Sequence, residues 1–235
     1  EAGFGLTQSV TEADVVLINT CSVREHAEQR VLSHLGHLKH MKKSRPDLVV
    51  GVIGCMAQRL GDELLEHEAV NIVCGPAEIP RISELIAEAM RERQKNLAVT
   101  ERIRRKGSRQ QSLALEDFEL AYGIEDERIP AQAFVRVMRG CNNFCSYCVV
   151  PYVRGPEVSR PPAARIAQIR KLADTGVKRV TLLGQTVNAY KYEAGEKTWS
   201  LADLLARASD IHGIEWLRFV TSYPSEEYFD DIMHV

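Results

Sequence analysis

No apolar run in this chain of 235 residues approaches the about 18 that a membrane-spanning helix requires, so nothing in it is read as crossing a bilayer. Cysteine is scarce. There are six, three of them inside eight residues, too few and too clustered for the disulfide framework of a secreted domain, which points to a reducing, cytoplasmic setting. An excess of either charge is missing as well: 30 Lys and Arg stand against 32 Asp and Glu, a net charge of −2. That balance gives no broad basic footprint, and a role with nucleic acid has to be argued from a site. The chain opens at Glu1 without a methionine and stops at Val235, inside a helix expected to begin near Ser225, so it reads as a fragment. What is there, 45% hydrophobic and 26% charged residues, is enough to bury ordinary globular cores in one or two domains.

The densest chemistry lies in Cys141-Asn142-Asn143-Phe144-Cys145-Ser146-Tyr147-Cys148. Thiols separated by three and then two residues can converge on one metal centre but cannot tile a disulfide framework. A structural zinc wants a fourth protein ligand, and the nearest downstream histidine, His212, is far away in sequence. An iron–sulfur cluster suits the set better, because three thiolates on a cubane of four irons leave one iron free to bind a substrate. Zinc stays as the alternative. The preceding run, Ala133 to Arg139, reads as a strand ending at Gly140. The cysteines then sit on a loop at a strand's C-terminal end, where barrel-type α/β folds carry their chemistry.

The N-terminal part alternates strand and helix. Ala13 to Thr20 is a short continuous apolar run, as in a strand buried on both faces of a parallel sheet, and it ends at Cys21. Ser22 and Glu25 form a capping-box pattern, and Ala27, Val31, Leu35 and Leu38 recur at helical spacing, so a helix runs to about Lys43. Leu48 to Gly54 is a second strand, ending at Cys55, and a short helix is expected from Leu60 to His67. Val70 to Val73 is a third strand, ending at Cys74, and Pro80 to about Glu92 is a helix. This alternation implies an open parallel sheet whose strand C-termini share one edge, the edge that carries Cys21, Cys55 and Cys74. Small cysteines filling tight turns is one reading of that edge; thiolates held ahead of helix starts and ligating a metal is the other. His34, His37 and His40, three apart on the first helix, alternate with Lys39, Lys42 and Lys43 and read as solvated surface.

Between 96 and 130 the pattern dissolves, and a linker is expected there between domains at 1–95 and 131–235. Its run Glu101 to Lys106 is basic, a solvated surface or a phosphate contact, and Glu116 to Arg128 is mainly acidic. Past the cysteine loop, Arg160-Pro161-Pro162 opens a helix that closes at Gly176, and Lys178 to Leu183 is a strand followed by Gly184-Gln185. Ser200 and Asp203 start another helix, closed by Gly213, and Trp216 to Val220 is a further strand. The fold class is α/β in both halves.

The three-then-two cysteine spacing, with Tyr147 before the last thiol, resembles the radical S-adenosylmethionine (SAM) superfamily. A more specific resemblance joins Asn19-Thr20-Cys21-Ser22-Val23-Arg24-Glu25, Gly54-Cys55-Met56-Ala57-Gln58-Arg59, the Cys141 to Cys148 loop, Val149 to Pro161 and Leu183-Gly184-Gln185-Thr186-Val187-Asn188. In that order, over nearly the whole chain, they resemble the methylthiotransferase family. The resemblance implies an N-terminal open parallel α/β sheet domain, truncated at its start. It implies that the first half of a radical SAM partial (β/α) barrel follows, with the family's RNA-binding TRAM domain absent. The implied cofactors are two [4Fe-4S] clusters and S-adenosyl-L-methionine. Cys141, Cys145 and Cys148 would ligate the cluster whose open iron chelates SAM, and Tyr147 would lie against the SAM adenine. Gly184 and Gln185 take the place where the superfamily contacts the methionine portion, without the usual acidic residue. Cys21 and Cys55 match two of the three ligands of the second cluster, the third being expected upstream of Glu1. The family motif assigns no ligand at Cys74, which is expected to be buried and structural.

The stretches Pro151-Tyr152-Val153-Arg154-Gly155 and Glu157-Val158-Ser159-Arg160 stand closer to the branch that acts on tRNA than to the branch that modifies a ribosomal-protein aspartate. The implied reaction adds a methylthio group to C2 of N6-isopentenyladenosine, next to the anticodon, with the chemistry at the clusters and no side chain serving as acid or base. The C2–H bond is neither acidic nor electrophilic, so acid–base groups cannot activate it and a radical can. Tyr152, Arg154 and Arg160 follow the cluster loop and combine an aromatic face with cations, as single-stranded RNA-binding surfaces do, so they are the expected substrate contacts. Implied partners are tRNA, an electron donor such as flavodoxin or ferredoxin, and a sulfur source, with a monomer expected. Rival readings are a methylthiotransferase acting on threonylcarbamoyl-adenosine of tRNA or on the ribosomal aspartate and, in a different class, a non-catalytic iron–sulfur or zinc scaffold for RNA.

Overall fold

Three short apolar runs, Val15–Thr20 (β1), Val49–Gly54 (β2) and Ile72–Cys74 (β3), pair in parallel, and Asn96–Ala98 (β4) adds a fourth strand in the order β1-β2-β3-β4. The computed structural model describes residues 3–99, Leu115, 131–224 and 232–234. Side chains of β2 and β3 alternate between two cores. Val50, Val52 and Val73 meet Val31, Leu35 and Leu38 of α1 (Glu25–Ser44) and Met56 and Ala57 of α2 (Cys55–Leu60). Val49, Ile72 and Cys74 meet Leu85, Ile86 and Ala89 of α4 (Ile82–Glu92) on the other face. Burial on both faces is why these strands read as unbroken apolar runs, each fully buried Val or Leu contributing about 1.5–3 kcal/mol.

Within this unit the structure corrects two expectations. The Ser22/Glu25 capping box does not form: Arg24 is the N-cap of α1 without a side-chain bond, and the Ser22 hydroxyl turns to Glu28 instead, 2.5 Å from Oε1. The helix expected from Leu60 to His67 is two, α2 and α3 (Asp62–Glu66), broken at Gly61 with φ +46°. Helix α2 begins directly at the end of β2 because Gly54, at φ +95°, turns the backbone without a loop. Cys55, Met56 and Ala57 are all buried, so its first turn lacks the amphipathic alternation that marks a helix in sequence.

A second parallel sheet has the order β11-β8-β5, with β5 at Gln132–Arg136, β8 at Arg179–Leu183 and β11 at Trp216–Val220. The connections run through α6 (Pro162–Asp174), with proline at its start, and α7 (Leu201–Ser209), whose Ser200 and Asp203 make the expected capping box. Ala133, Val135, Val180 and Leu182 pack with Ile166 and Ile169 of α6 and Leu201, Leu204 and Leu205 of α7 in one core. The strand expected over 133–139 is interrupted at Val137, after which Met138–Arg139 (β6) pairs antiparallel with Val158–Ser159 (β7). Lys191–Ala194 (β9) and Lys197–Ser200 (β10) form an antiparallel hairpin.

The chain divides into two compact units, the first sheet belonging to one and the second sheet to the other; Cys145–Arg154 groups with the first. Strand β4 extends the first sheet past residue 95, too short and too polar at Asn96 to show a periodic pattern. Beyond Val99 the expected linker lies outside the described residues except for Leu115, and so do the basic run, the acidic run and the helix expected from Ser225. Among the described residues no helix is long and apolar enough to cross a membrane.

Candidate metal centre

The cysteine loop leaves the second sheet's C-terminal edge through Gly140. Its φ of +75° favours glycine, and a Cβ there would collide with the carbonyl oxygen of Pro156, so the two backbones touch. The β6–β7 ladder and the Cys141 amide, which donates to Gly155 O at 3.1 Å, close the loop's base. Asn142 and Glu157 reinforce it. The Asn142 amide donates to Glu157 Oε1 at 3.2 Å, its Nδ2 donates to Oε2 at 3.3 Å, and the Glu157 amide donates back to Asn142 Oδ1 at 3.2 Å. Farther along, Phe144 takes a left-handed φ of +45°, the Cys148 amide donates to Cys145 O at 2.9 Å, and α5 (Val150–Arg154) follows and packs against α2. Cys141 is buried, 8% exposed, while Cys145 and Cys148 are half-buried, and all three thiols are free.

The segment after β8 meets the first of these thiols. Thr186 Oγ1 lies 3.0 Å from Cys141 Sγ, both buried. Gly184 is required by close approach, since a Cβ would stand 2.6 Å from Met138 Cγ and 3.2 Å from Val187 Cα. Val187 donates its amide to Thr221 O at 2.8 Å, and Asn188 exchanges two bonds with the Tyr223 backbone, at 2.7 and 2.9 Å. Between Gly184 and Thr186, the Gln185 side-chain oxygen is buried without a hydrogen-bond partner. An acceptor sealed from water in this way costs about 1–3 kcal/mol unless something donates to it.

In the first unit the register places Thr20 opposite Gly54, so Cys21 and Cys55 leave neighbouring strands at the same level. A Cβ on Gly54 would lie 2.5 Å from Asn19 Oδ1, which keeps that strand end glycine. Cys21 is exposed, with the Val23 amide 3.4 Å from its sulfur, and Cys55 is buried. The motif residues Ser22 and Arg59 brace the pair: Arg59 Nε donates to Ser22 Oγ at 2.7 Å, and its guanidinium holds both carboxylate oxygens of Glu28 at 3.2 and 2.6 Å. Cys74 pairs with Ile53, one step before the edge, and its side chain enters the α4-side core at 0% exposure. Burial pushes its thiol up to about 12, and the S–H donates to Gly75 O at 3.6 Å. That is a structural cysteine.

Among the described residues no three His, Cys, Asp or Glu side chains converge on a point as the ligands of one metal ion do. Cys141, Cys145 and Cys148 are the residues that could hold a larger group instead. Thiolates on a cluster each bind their own iron at separate corners, whereas those on zinc all stand about 2.3 Å from one centre. Three free thiols close together in the chain are the number of protein ligands that an iron–sulfur cluster with one open iron takes.

Residues 1–75 match the uncharacterized protein family UPF0004, and residues 135–234 match the radical SAM superfamily. The chain is 43% identical over 231 residues to a tRNA-2-methylthio-N(6)-dimethylallyladenosine synthase of Bordetella petrii, covering 96% of this chain and 45% of that protein. Proteins of the same name from Cupriavidus necator and Syntrophus aciditrophicus are 42% and 41% identical, with 95% and 96% of this chain and 48% and 46% of theirs covered. Over nearly its whole length the chain is thus similar to proteins that carry this synthase name, and its C-terminal part carries the radical SAM match. It spans about half the length of the curated relatives it matches.

The other residues singled out from the sequence differ in exposure. Tyr147 is 90% exposed, Tyr152 is exposed and Arg154 is half-buried, all three on the stretch that groups with the first unit. Arg160 departs from its expected place at an open mouth. It is 8% exposed, its Nη1 reaches Arg136 O at 3.3 Å, and its own carbonyl accepts the Tyr190 hydroxyl at 2.7 Å, because the chain there enters the core beneath α6. His34, His37 and His40 are exposed, as solvated surface should be. Sequence reasoning passed over Thr186, Asn142, Glu157 and Glu28. All but Glu28 stood inside quoted motifs, Asn142 between the first two cysteines and Glu157 beyond the last, but their pairing is tertiary and carries no local periodicity.

Proposed function

We propose that this protein is a radical SAM methylthiotransferase that adds a methylthio group to C2 of N6-isopentenyladenosine in tRNA, next to the anticodon. Relatives that carry the name of that enzyme, at 41–43% identity, support the substrate. The observation that carries the reading is the cysteine loop: three free thiols on a glycine-hinged segment at a parallel-sheet edge, the first beside the Thr186 hydroxyl.

Cys141, Cys145 and Cys148 would hold a [4Fe-4S] cluster, which would supply the one electron for splitting SAM into methionine and a carbon radical able to take hydrogen from C2. The side chains position and enclose. Gln185 offers its buried oxygen as an acceptor for an N–H of the SAM amino group, while Gly184, pressed on Met138, keeps the backbone low enough for the ligand to approach. Tyr147 is exposed enough to lie against the SAM adenine. Tyr152 and Arg154 present an aromatic face and a cation to the RNA, where stacking contributes about 1–3 kcal/mol per base and arginine pairs with phosphate. A base beside the anticodon leaves its stack for about a few kcal/mol, which such contacts offset. Cys21 and Cys55 would be two ligands of a second cluster, which would provide the sulfur, and a flavodoxin- or ferredoxin-like donor in the cytoplasm would supply the electrons.

Anaerobic reconstitution of the full-length protein tests this. With reductant, SAM and a tRNA carrying isopentenyladenosine, the expected products are 5′-deoxyadenosine and methylthiolated tRNA, both lost in Cys141→Ala. A protein that keeps zinc under iron excess, or that holds a cluster without cleaving SAM, is a scaffold and not this enzyme.

A further inference from the structure

We propose that Thr186 is a positioning residue for the metal centre: its hydroxyl donates a hydrogen bond to the Cys141 sulfur when that sulfur is a cluster thiolate, and so raises the cluster's reduction potential. The inference rests on the reading of Cys141, Cys145 and Cys148 as cluster ligands.

In the thiol form either partner of the 3.0 Å contact between Thr186 Oγ1 and Cys141 Sγ can donate. A ligating sulfur has lost its proton, which leaves the hydroxyl as the only donor of the two. Water does not compete there, because Thr186 is 1% exposed and Cys141 is the buried one of the three cysteines. In a dry surrounding such a bond is electrostatically stronger than at a surface. Reduction adds negative charge to the cluster and its sulfurs, so a donor aimed at one sulfur stabilises the reduced state more than the oxidised one.

The hydroxyl is held in place from several sides. Gly184 is wedged against Met138, the Val187 amide is tied to Thr221 O, the Ala189 amide donates to Thr186 O at 2.9 Å, and Asn188 is doubly bonded to Tyr223. Cys141 is held in turn by its amide on Gly155 O.

Thr186→Val keeps the shape and removes the hydroxyl; Thr186→Ser keeps the hydroxyl and removes a methyl. In the reconstituted full-length protein, the midpoint potential is read from the electron paramagnetic resonance signal that changes when SAM is added, which selects this cluster. The expected result is equal iron content in all three proteins, a potential in Thr186→Val below that of the wild type, and a wild-type value in Thr186→Ser. If Thr186→Val does not take up iron, Thr186→Ala removes the hydroxyl without adding bulk and is measured in the same way. An unchanged potential in the hydroxyl-free variant overturns the Thr186 assignment and leaves the cluster reading standing. A wild-type protein without any SAM-responsive signal overturns the cluster reading itself, and the assignment with it.

Discussion

Arg59 grips the carboxylate of Glu28 through Nε and Nη2, at 3.2 and 2.6 Å, and so ties the helix that begins with Cys55 to the helix that follows Cys21. Ser22, one residue past Cys21, is bonded to both partners. Arg59 is partly exposed, which limits the pair to about 1 kcal/mol of stability, but its position matters more than its strength. In the full-length protein Arg59→Ala is expected to lower the iron bound at the Cys21/Cys55 site while iron at the Cys141 loop is unchanged. Iron and sulfide analysis in a Cys141→Ala background isolates the first site; equal iron with and without Arg59 would show that the brace is dispensable.

Cys74 and Cys55 are expected to part company on substitution. Cys74→Ala removes one atom from a packed core and should cost about 1 kcal/mol with iron content unchanged, whereas Cys55→Ala should lose second-site iron. The raised thiol of Cys74 also sets a pH dependence. Its folded value, about 12, lies above the ordinary 9.0, so its contribution to stability is complete below pH 9 and is lost as pH rises toward 12. Urea midpoints of wild type and Cys74→Ala, measured from pH 8 upward, should converge above pH 9. A constant gap would place the thiol in a wetter site than the core around Leu85 and Ile86.

Gly140 and Gly155 share a φ of +75°, but only Gly140 has backbone in the way of a Cβ. Alanine at Gly155 should therefore cost only the left-handed strain, about 1 kcal/mol, while alanine at Gly140 adds the displacement of Pro156 and should cost about 2–3 kcal/mol and the iron of the cysteine loop. Thermal unfolding of the two variants decides it, and equal destabilisation would mean that the contact between the two backbones is relaxed at no cost.

Arg154→Ala is expected to reduce tRNA methylthiolation at least tenfold more than it reduces tRNA-free cleavage of SAM, a difference of about 1.4 kcal/mol. Parallel loss of both activities would assign Arg154 to the cofactor or the fold.

Strand positions were legible because short apolar runs bounded by polar residues mark them, unbroken in Val49–Gly54 where both faces are buried, and Val15–Thr20 and Trp216–Val220, partly exposed at the sheet edges, also lie within a few residues of where the pattern puts them. The Ser200/Asp203 cap was legible for a similar reason, since its partners are three residues apart. Ser22 and Glu25 have the same spacing and failed, because Arg59, brought in by the adjoining strand, offers Ser22 and Glu28 a charged partner that a local cap cannot match. Arg160 looked like a surface cation by residue type, and only the packing around Tyr190 shows it buried. The contact of Thr186 with Cys141 spans 45 residues and leaves no trace in either neighbourhood.

Mass spectrometry of tRNA nucleosides tests the central claim most directly. Cells lacking the full-length protein should contain N6-isopentenyladenosine without its 2-methylthio derivative; the wild-type gene should restore the derivative, and the Cys141→Ala version should not. Unchanged 2-methylthio-isopentenyladenosine in the deleted cells, or its full restoration by Cys141→Ala, would contradict the account.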